Sequence, residues 1–128
     1  MNVASFAGRF AGVGGFVNIA QCAKRLVFCL TLRAGELEVA VKNGRLVIVK
    51  EGRHPKFVRA IQHVCFHGPT ALARGQEVLY VTERAVFELT PAGLQLTEIA
   101  PGIDLQTQVL AQMQFAPAIS ESLRPMPL

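Results

Sequence analysis

The sequence lacks several features that would place it at once in a class of proteins. It has no tryptophan, a single tyrosine, and no acidic residue before Glu36. No apolar run approaches the roughly 20 residues that a membrane-spanning helix requires, so we expect no membrane partner. The three cysteines, Cys22, Cys29 and Cys65, have no CxxC spacing. Their odd number without this spacing, and the position of Cys29 inside an apolar run, predict reduced, mostly buried thiols.

The composition is that of one modest domain. The chain has 128 residues, enough for a single core, with 51% hydrophobic and 17% charged residues. This balance is apolar for a free-standing domain and is typical of a piece of a larger α/β protein. We therefore predict a soluble chain with some apolar surface that needs a partner. The Pro- and Ser-containing stretch 120–128 is predicted to be a flexible tail.

The net charge is +4, and its cations concentrate between Lys42 and Arg59. A basic stretch of this kind can bind phosphate or nucleic acid. Here aromatic residues are scarce and the intervening residues are apolar strand formers. We interpret the stretch as a solvated hairpin with a following turn and predict no nucleic-acid partner.

A β-hairpin is the clearest local pattern. Segments 36–41 and 45–50 alternate in polarity and flank Asn43-Gly44, a dipeptide that supplies the positive φ angles of a two-residue turn.

Further strands and helices complete a mixed pattern. We predict a strand covered on both faces at 26–32, strands at 58–66 and 77–81, and a pair formed by 85–90 and 94–99. A short helix is expected over 17–24, and a second one should begin after Asp104 and end near Phe115. The predicted fold class is α/β, with a mixed β-sheet, a β-hairpin and flanking helices.

The segment from Gly12 to Phe16 reads GVGGF. Three glycines beside an aromatic residue let a ligand approach the backbone closely, although a glycine cluster alone mostly marks a turn. The helix predicted directly after the loop would add N–H groups and the positive end of its dipole, which favour an anionic group.

Three motifs together carry a family resemblance. GVGGFVNIAQ at 12–21, EVLYVTERAVF at 77–87 and APGIDL at 100–105 resemble, in order and spacing, the C-terminal part of family I coenzyme A transferases of the acetate/propionate type. The resemblance covers residues 2–119. It implies that residues 1–119 form part of a CoA-transferase (NagB/RpiA-like) domain.

The resemblance also implies a site and its substrates. Gly12, Gly14 and Gly15 would form a loop that binds the thioester oxyanion, and Phe16 and Asn18 would shape the acyl pocket, with a place in the core as the alternative for Phe16. The substrates would be acyl-CoA and a short-chain carboxylate, once an upstream part completes the site. No cofactor is expected to be bound, because coenzyme A enters as the thioester substrate. The expected location is cytoplasmic, with self-association or a partner subunit.

The nucleophile of the family is a glutamate in a motif upstream of the glycine loop, and no acid lies there in this chain. We therefore expect a C-terminal fragment or subunit of an acyl-CoA:carboxylate CoA-transferase that is inactive alone. Two alternatives stay open. One is a non-catalytic protein-interaction module that retains the fold, and the other is a small enzyme that uses Glu83. The motif around Glu83 favours a salt link or a turn hydrogen bond over catalysis.

His63, Cys65 and His67 alternate and would share one strand face, but three ligands without a fourth predict a structural set rather than a metal site. Glu36 stands where members of the resembled family usually have a glycine.

Overall fold

The computed structural model describes residues 14–61 and 64–128. Its secondary structure is dominated by short strands, with three short helices and one 3₁₀ turn. The elements in chain order are α1 (Phe16–Cys22), β1 (Arg25–Cys29), β2 (Arg33–Ala34), β3 (Glu38–Lys42), β4 (Arg45–Lys50), β5 (His54–Pro55), α2 (Gly68–Ala73), β6 (Glu77–Val81), β7 (Ala85–Thr90), β8 (Gly93–Ile99), α3 (Leu105–Gln108), the 3₁₀ turn (Leu110–Gln112) and β9 (Ala118–Pro125).

The main sheet has five strands in the order β1-β6-β7-β8-β9. Its two outer pairs, β1 with β6 and β8 with β9, are parallel, whereas the two inner pairs are antiparallel. The sheet is mixed, and the predicted α/β class with a hairpin and flanking helices is confirmed. None of the described helices is long and apolar enough to cross a membrane.

The predicted hairpin is formed by β3 and β4. Its turn residues Asn43 and Gly44 have φ angles of 52° and 70°, as a type I′ turn requires. Leu46 of β4 is buried and its N–H donates to the carbonyl of Pro101 over 2.7 Å. This bond anchors the hairpin to the turn between β8 and α3.

The core consists of two apolar clusters, and Tyr80 packs against both. Phe28 stacks on Tyr80 with ring centroids 5.1 Å apart, and Phe57 meets Phe87 at 5.0 Å. One cluster is formed by Ala20, Leu26, Phe28, Ala71 and Val78, and the other by Leu32, Phe57, Ala85, Phe87, Leu96, Val109 and Met113.

Strand β1 differs from its prediction. It ends at Cys29, and its burial alternates, so that Val27 and Cys29 are exposed while Leu26 and Phe28 are buried. Within the described residues, packing covers only the face of Leu26 and Phe28, and β1 is an outer strand. The prediction of coverage on both faces is wrong for this part of the chain. The prediction of buried thiols is likewise wrong for Cys22 and Cys29, which are both exposed.

The segment predicted as a strand at 58–66 forms none among its described residues. Its backbone bonds to the loop after the 3₁₀ turn instead: Arg59 N–H donates to Gln114 Oε1 over 3.3 Å, and Gln114 N–H donates to Phe57 O over 2.9 Å. These long-range partners replace the neighbouring strand that the local pattern predicted.

The C-terminal part also differs from its prediction. Asp104 caps α3 as expected, since its Oδ1 accepts from the N–H of Thr107 over 2.8 Å. The helix nevertheless ends at Gln108, and the chain turns at Val109 to bury that side chain completely. A flexible tail was predicted from residue 120, but the structure has β9 there, because the edge of β8 offers backbone partners.

Glu36 has a φ of +64°, directly after Gly35 at +84°. An L-residue is disfavoured in this left-handed region, whereas glycine is not. The structure thus gives a physical reason why glycine would be favoured at this position. In this chain the Glu36 carboxylate forms exposed ion pairs with Lys50 and Arg53.

Candidate functional site

The glycine loop leads directly into α1. Gly14 has a φ of +53°, and a Cβ built on it would meet no atom within 4 Å. Gly15 is the N-cap residue, and its carbonyl accepts the N–H of Ile19 over 3.1 Å. Both glycines are exposed. The positive φ favours glycine at Gly14, whereas internal packing places no demand on this residue. Gly12 lies outside the described residues.

The first turn of α1 carries the other two predicted site residues. Phe16 is half-buried and packs on Phe28 with ring centroids 6.0 Å apart, so its ring belongs to the edge of the core. Asn18 is exposed and open to a ligand. A role for these two residues in an acyl pocket stays a prediction.

A buried glutamine fixes the far end of α1. The side-chain amide of Gln76 donates to the carbonyl of Ala20 over 2.9 Å and to that of Ala23 over 2.5 Å. The first carbonyl belongs to the last turn of α1 and the second to its C-cap residue, where carbonyls lack helical partners. Gln76 therefore ties the helix that follows the glycine loop to the start of β6. No feature of the sequence marked this residue.

A cleft lies between α1 and α2, and it contains two of the candidate zinc ligands. Cys65 and His67 line it together with Thr70 and Arg74. His67 Nδ1 lies 2.9 Å from Thr70 Oγ1, so a hydroxyl satisfies that nitrogen. His63 lies outside the described residues. Among the residues that the structure describes, no three His, Cys, Asp or Glu side chains form a metal-binding group.

Glu83 occupies the turn between β6 and β7 and is largely buried. Its Oε2 accepts the N–H of Leu32 over 2.9 Å, and its Oε1 pairs with Arg84 Nε over 2.5 Å. Both oxygens are therefore engaged in holding the fold. The predicted salt link is confirmed.

Arg84 is the largest fully buried side chain among the described residues, and two carboxylates surround it. Its Nη1 and Nη2 donate to the two oxygens of Glu51 over 2.7 and 2.9 Å, and Nη1 also reaches the carbonyl of Gln108 over 3.0 Å. Burial lowers the pKa of the guanidinium, but its bonds to Glu51 and Glu83 outweigh that effect and raise it. The group stays charged, and each of its three nitrogens donates at least one hydrogen bond.

Sequence reasoning missed this network. Glu51 comes 33 residues before Arg84. The signal that could have revealed it is an arginine directly before the apolar run 85–87, since an arginine inside a core needs carboxylate partners. The network joins β6, β7, α3 and the end of β4, and it thereby supports the sheet on which α1 packs.

Comparisons with known proteins test the family resemblance. No family model matches the chain. Acetate CoA-transferase YdiF of Escherichia coli strain K12 is 48% identical over 124 residues, which are 97% of this chain and 23% of that protein. Caffeate CoA-transferase of Acetobacterium woodii is 48% identical over 118 residues, which are 92% of this chain and 22% of that protein.

The solved structures agree with this result. The crystal structure of acyl-CoA transferase YdiF from Escherichia coli O157:H7 superposes with a TM-score of 0.93 over 97% of this chain and 24% of that one. The chain therefore matches a segment of the coenzyme A transferases. The match fits the predicted C-terminal segment, and the chain spans about a quarter of the length of the relatives that it matches.

Two further sets of solved structures resemble the chain, one closely and one only in fold. A second YdiF structure, a thioester complex with CoA, has the same TM-score and identity. Variants of the decarboxylase AibA/AibB superpose with TM-scores up to 0.65 at 20% identity over 95% of the chain. At that identity the likeness concerns the fold alone.

Proposed function

We propose that this chain is the C-terminal part of an enzyme that transfers coenzyme A between an acyl-CoA and a short-chain carboxylate. The observation that carries the proposal is its 48% identity, over 97% of the chain, to acetate CoA-transferase YdiF. That relative has a structure as a thioester complex with CoA. Coenzyme A thioester is accordingly the substrate of the proposed reaction.

The glycine loop is the proposed contact with the reacting thioester. Backbone N–H groups aimed at an oxyanion are worth about 100- to 1000-fold in kcat in well-studied hydrolases. The exposed Gly14 and Gly15, with Gly12 before them, would donate such N–H groups, and Asn18 would lie at the acyl group.

The nucleophilic glutamate is proposed to come from outside these 128 residues. Two observations support this. Glu83 and Glu51 are both bound to Arg84, and no acidic residue precedes the glycine loop. The chain alone is then catalytically silent, and activity requires the three quarters of the enzyme that it does not span.

The test is a chimera in which this chain replaces the matching quarter of YdiF. Exchange of labelled acetate with propionyl-CoA is measured for the chimera and for the 128-residue chain alone. We expect exchange by the chimera and none by the chain. Exchange by the chain alone, lost in Glu83→Ala, would favour the small-enzyme alternative. An inactive but folded chimera would favour the non-catalytic interaction module.

Two glycines of this chain make a matched pair for the loop. Gly14 and Gly75 both have positive φ, at 53° and 72°, and neither has an atom within 4 Å of a built Cβ. Alanine therefore imposes a similar backbone cost at both positions. In the chimera, Gly14→Ala should lower kcat about 100-fold while Gly75→Ala leaves it nearly unchanged. Equal effects of the two substitutions on kcat would contradict a role of the glycine loop in the reaction.

A further inference from the structure

The two outer edges of the five-stranded sheet differ in kind. The edge of β9 carries the charged Glu121 and Arg124, ends at Pro125, and pairs with β8 in an irregular register. Charges, proline and irregular pairing are the features by which proteins protect a true edge from further pairing. The β9 edge therefore has the features of an edge that pairs with no further strand.

Strand β1 has none of these features beyond its first residue. After Arg25 the strand reads Leu26-Val27-Phe28-Cys29, without charge or proline, and its five residues pair with β6 without a register shift. Val27 is 51% exposed. Parallel strands are normally buried on both faces. An apolar parallel strand that is exposed at an edge therefore lacks the neighbouring elements that would normally cover it.

The direction of the open backbone groups follows from two bonds at the ends of β1. Leu30 N–H donates to Val81 O and Lys24 O accepts from Glu77 N–H, both over 3.0 Å. Because alternate residues of a strand face one neighbour, the even-numbered residues face β6. The N–H and C=O groups of Val27 and Cys29 then point to the opposite edge, where no strand lies among the described residues.

From this contrast we infer that the open edge of β1 pairs with a β-strand of the transferase that lies outside these 128 residues. The inference rests on the proposed function, since the relatives are about four times longer than this chain and supply the missing polypeptide. The incoming strand would bond to Val27 and Cys29, and its neighbouring elements would cover the exposed Val27 side chain. The sheet of the complete enzyme would thus continue past β1.

Amide hydrogen exchange in the chimera with YdiF tests the pairing. We expect the amide of Val27 to be protected about as strongly as that of Leu26, which faces β6. In the 128-residue chain alone at low concentration, Val27 should exchange at least about 100-fold faster than in the chimera. A Val27 amide that exchanges in the chimera as fast as an exposed loop would overturn the inference.

Two substitutions separate the backbone from the side chain. Val27→Pro removes one N–H at the open edge and none that faces β6, whereas Val27→Thr keeps the N–H and the branched shape. The proline should lower the melting temperature of the chimera by more than that of the chain alone, and threonine should have a small effect in both. Equal effects of proline in the two proteins would contradict the pairing.

The remaining outcomes identify another occupant or separate the two proposals. Protection of Val27 in the chain alone that grows with concentration would assign the edge to a second copy. Protection that is independent of concentration would assign it to this chain itself, and either result overturns the inference. An inactive chimera with a protected Val27 counts against the proposed function only. An active chimera with an unprotected Val27 counts against the inference only.

Discussion

Both carboxylate oxygens of Glu51 accept hydrogen bonds from the guanidinium of Arg84, at 2.7 Å from Nη1 and 2.9 Å from Nη2, and Arg84 has no solvent-exposed side-chain surface. The two-point geometry matches the planar fork of arginine to the carboxylate. Glu83 and the carbonyl of Gln108 complete the arrangement. The buried guanidinium therefore donates hydrogen bonds to three residues, which are Glu51, Glu83 and Gln108.

Removal of Arg84 should be strongly destabilising. Arg84→Met leaves the carboxylates of Glu51 and Glu83 next to a core without their cation, and breaking such a buried pair costs about 3–5 kcal/mol. The control is Arg25→Met, because Arg25 and Glu77 form an ion pair at the surface that is exposed on both sides. Urea unfolding would measure both. Similar, small losses in the two variants would contradict a structural role for Arg84.

The same pair predicts how stability depends on pH. Burial raises the pKa of Glu51, but the bonds from Arg84 and the Gly52 N–H and the charges of Arg84 and Arg33 outweigh it and hold the pKa below its ordinary 4.5. A depressed pKa in the folded state stabilises the protein above about pH 4.5, and this contribution is lost as the pH falls through the folded value.

Glu51→Gln is the variant that isolates this effect. The free energy of unfolding of the unchanged chain should fall more steeply below about pH 4.5 than that of the variant, so that the difference between them narrows as the pH decreases. Urea unfolding between neutral and acidic pH gives both curves. Parallel curves over this range would show that Glu51 does not titrate with folding.

Local chemistry accounts for the parts of the fold that the sequence predicted. Asn43-Gly44 sets the hairpin turn by its own φ angles, and Asp104 caps α3 through a residue three positions on. The missed features depend on distant partners. The Arg84 network needs Glu51, which directly follows β4 and lies 33 residues earlier in the chain, and β9 forms only because β8 lies beside it.

The candidate site divides in the same way. The glycine motif identified the loop before α1, and the family resemblance gave it a chemical meaning. Nothing local indicated that Gln76 would tie α1 to β6, whereas the sequence left Phe16 open between an acyl pocket and the core, where its ring packs against Phe28. These contacts arise when the sheet brings together residues far apart in sequence.

Tyr80 offers an optical probe, because the chain has one tyrosine and no tryptophan. Burial raises the pKa of its phenol to about 12. A raised pKa in the folded state gives stability that is complete below the unfolded value of about 10 and is lost as the pH rises toward 12. Absorbance of the tyrosinate after a rapid pH jump should give a midpoint near 12 for the native chain. The denatured chain should titrate near 10, and a native midpoint near 10 would contradict the burial of Tyr80.

Gly102 tests the contact that anchors the hairpin to the sheet. It has a φ of +95°, and a built Cβ would lie 2.7 Å from the carbonyl oxygen of Leu46. Gly102→Ala must therefore strain its own backbone and also displace the bond between Leu46 and Pro101, at a cost of about 2–3 kcal/mol. Gly75→Ala, which meets no atom, should cost about 1–2 kcal/mol from the backbone alone. Urea unfolding would compare the two variants. If Gly75→Ala proves as costly as Gly102→Ala, the close approach of the hairpin to this turn contributes nothing to stability.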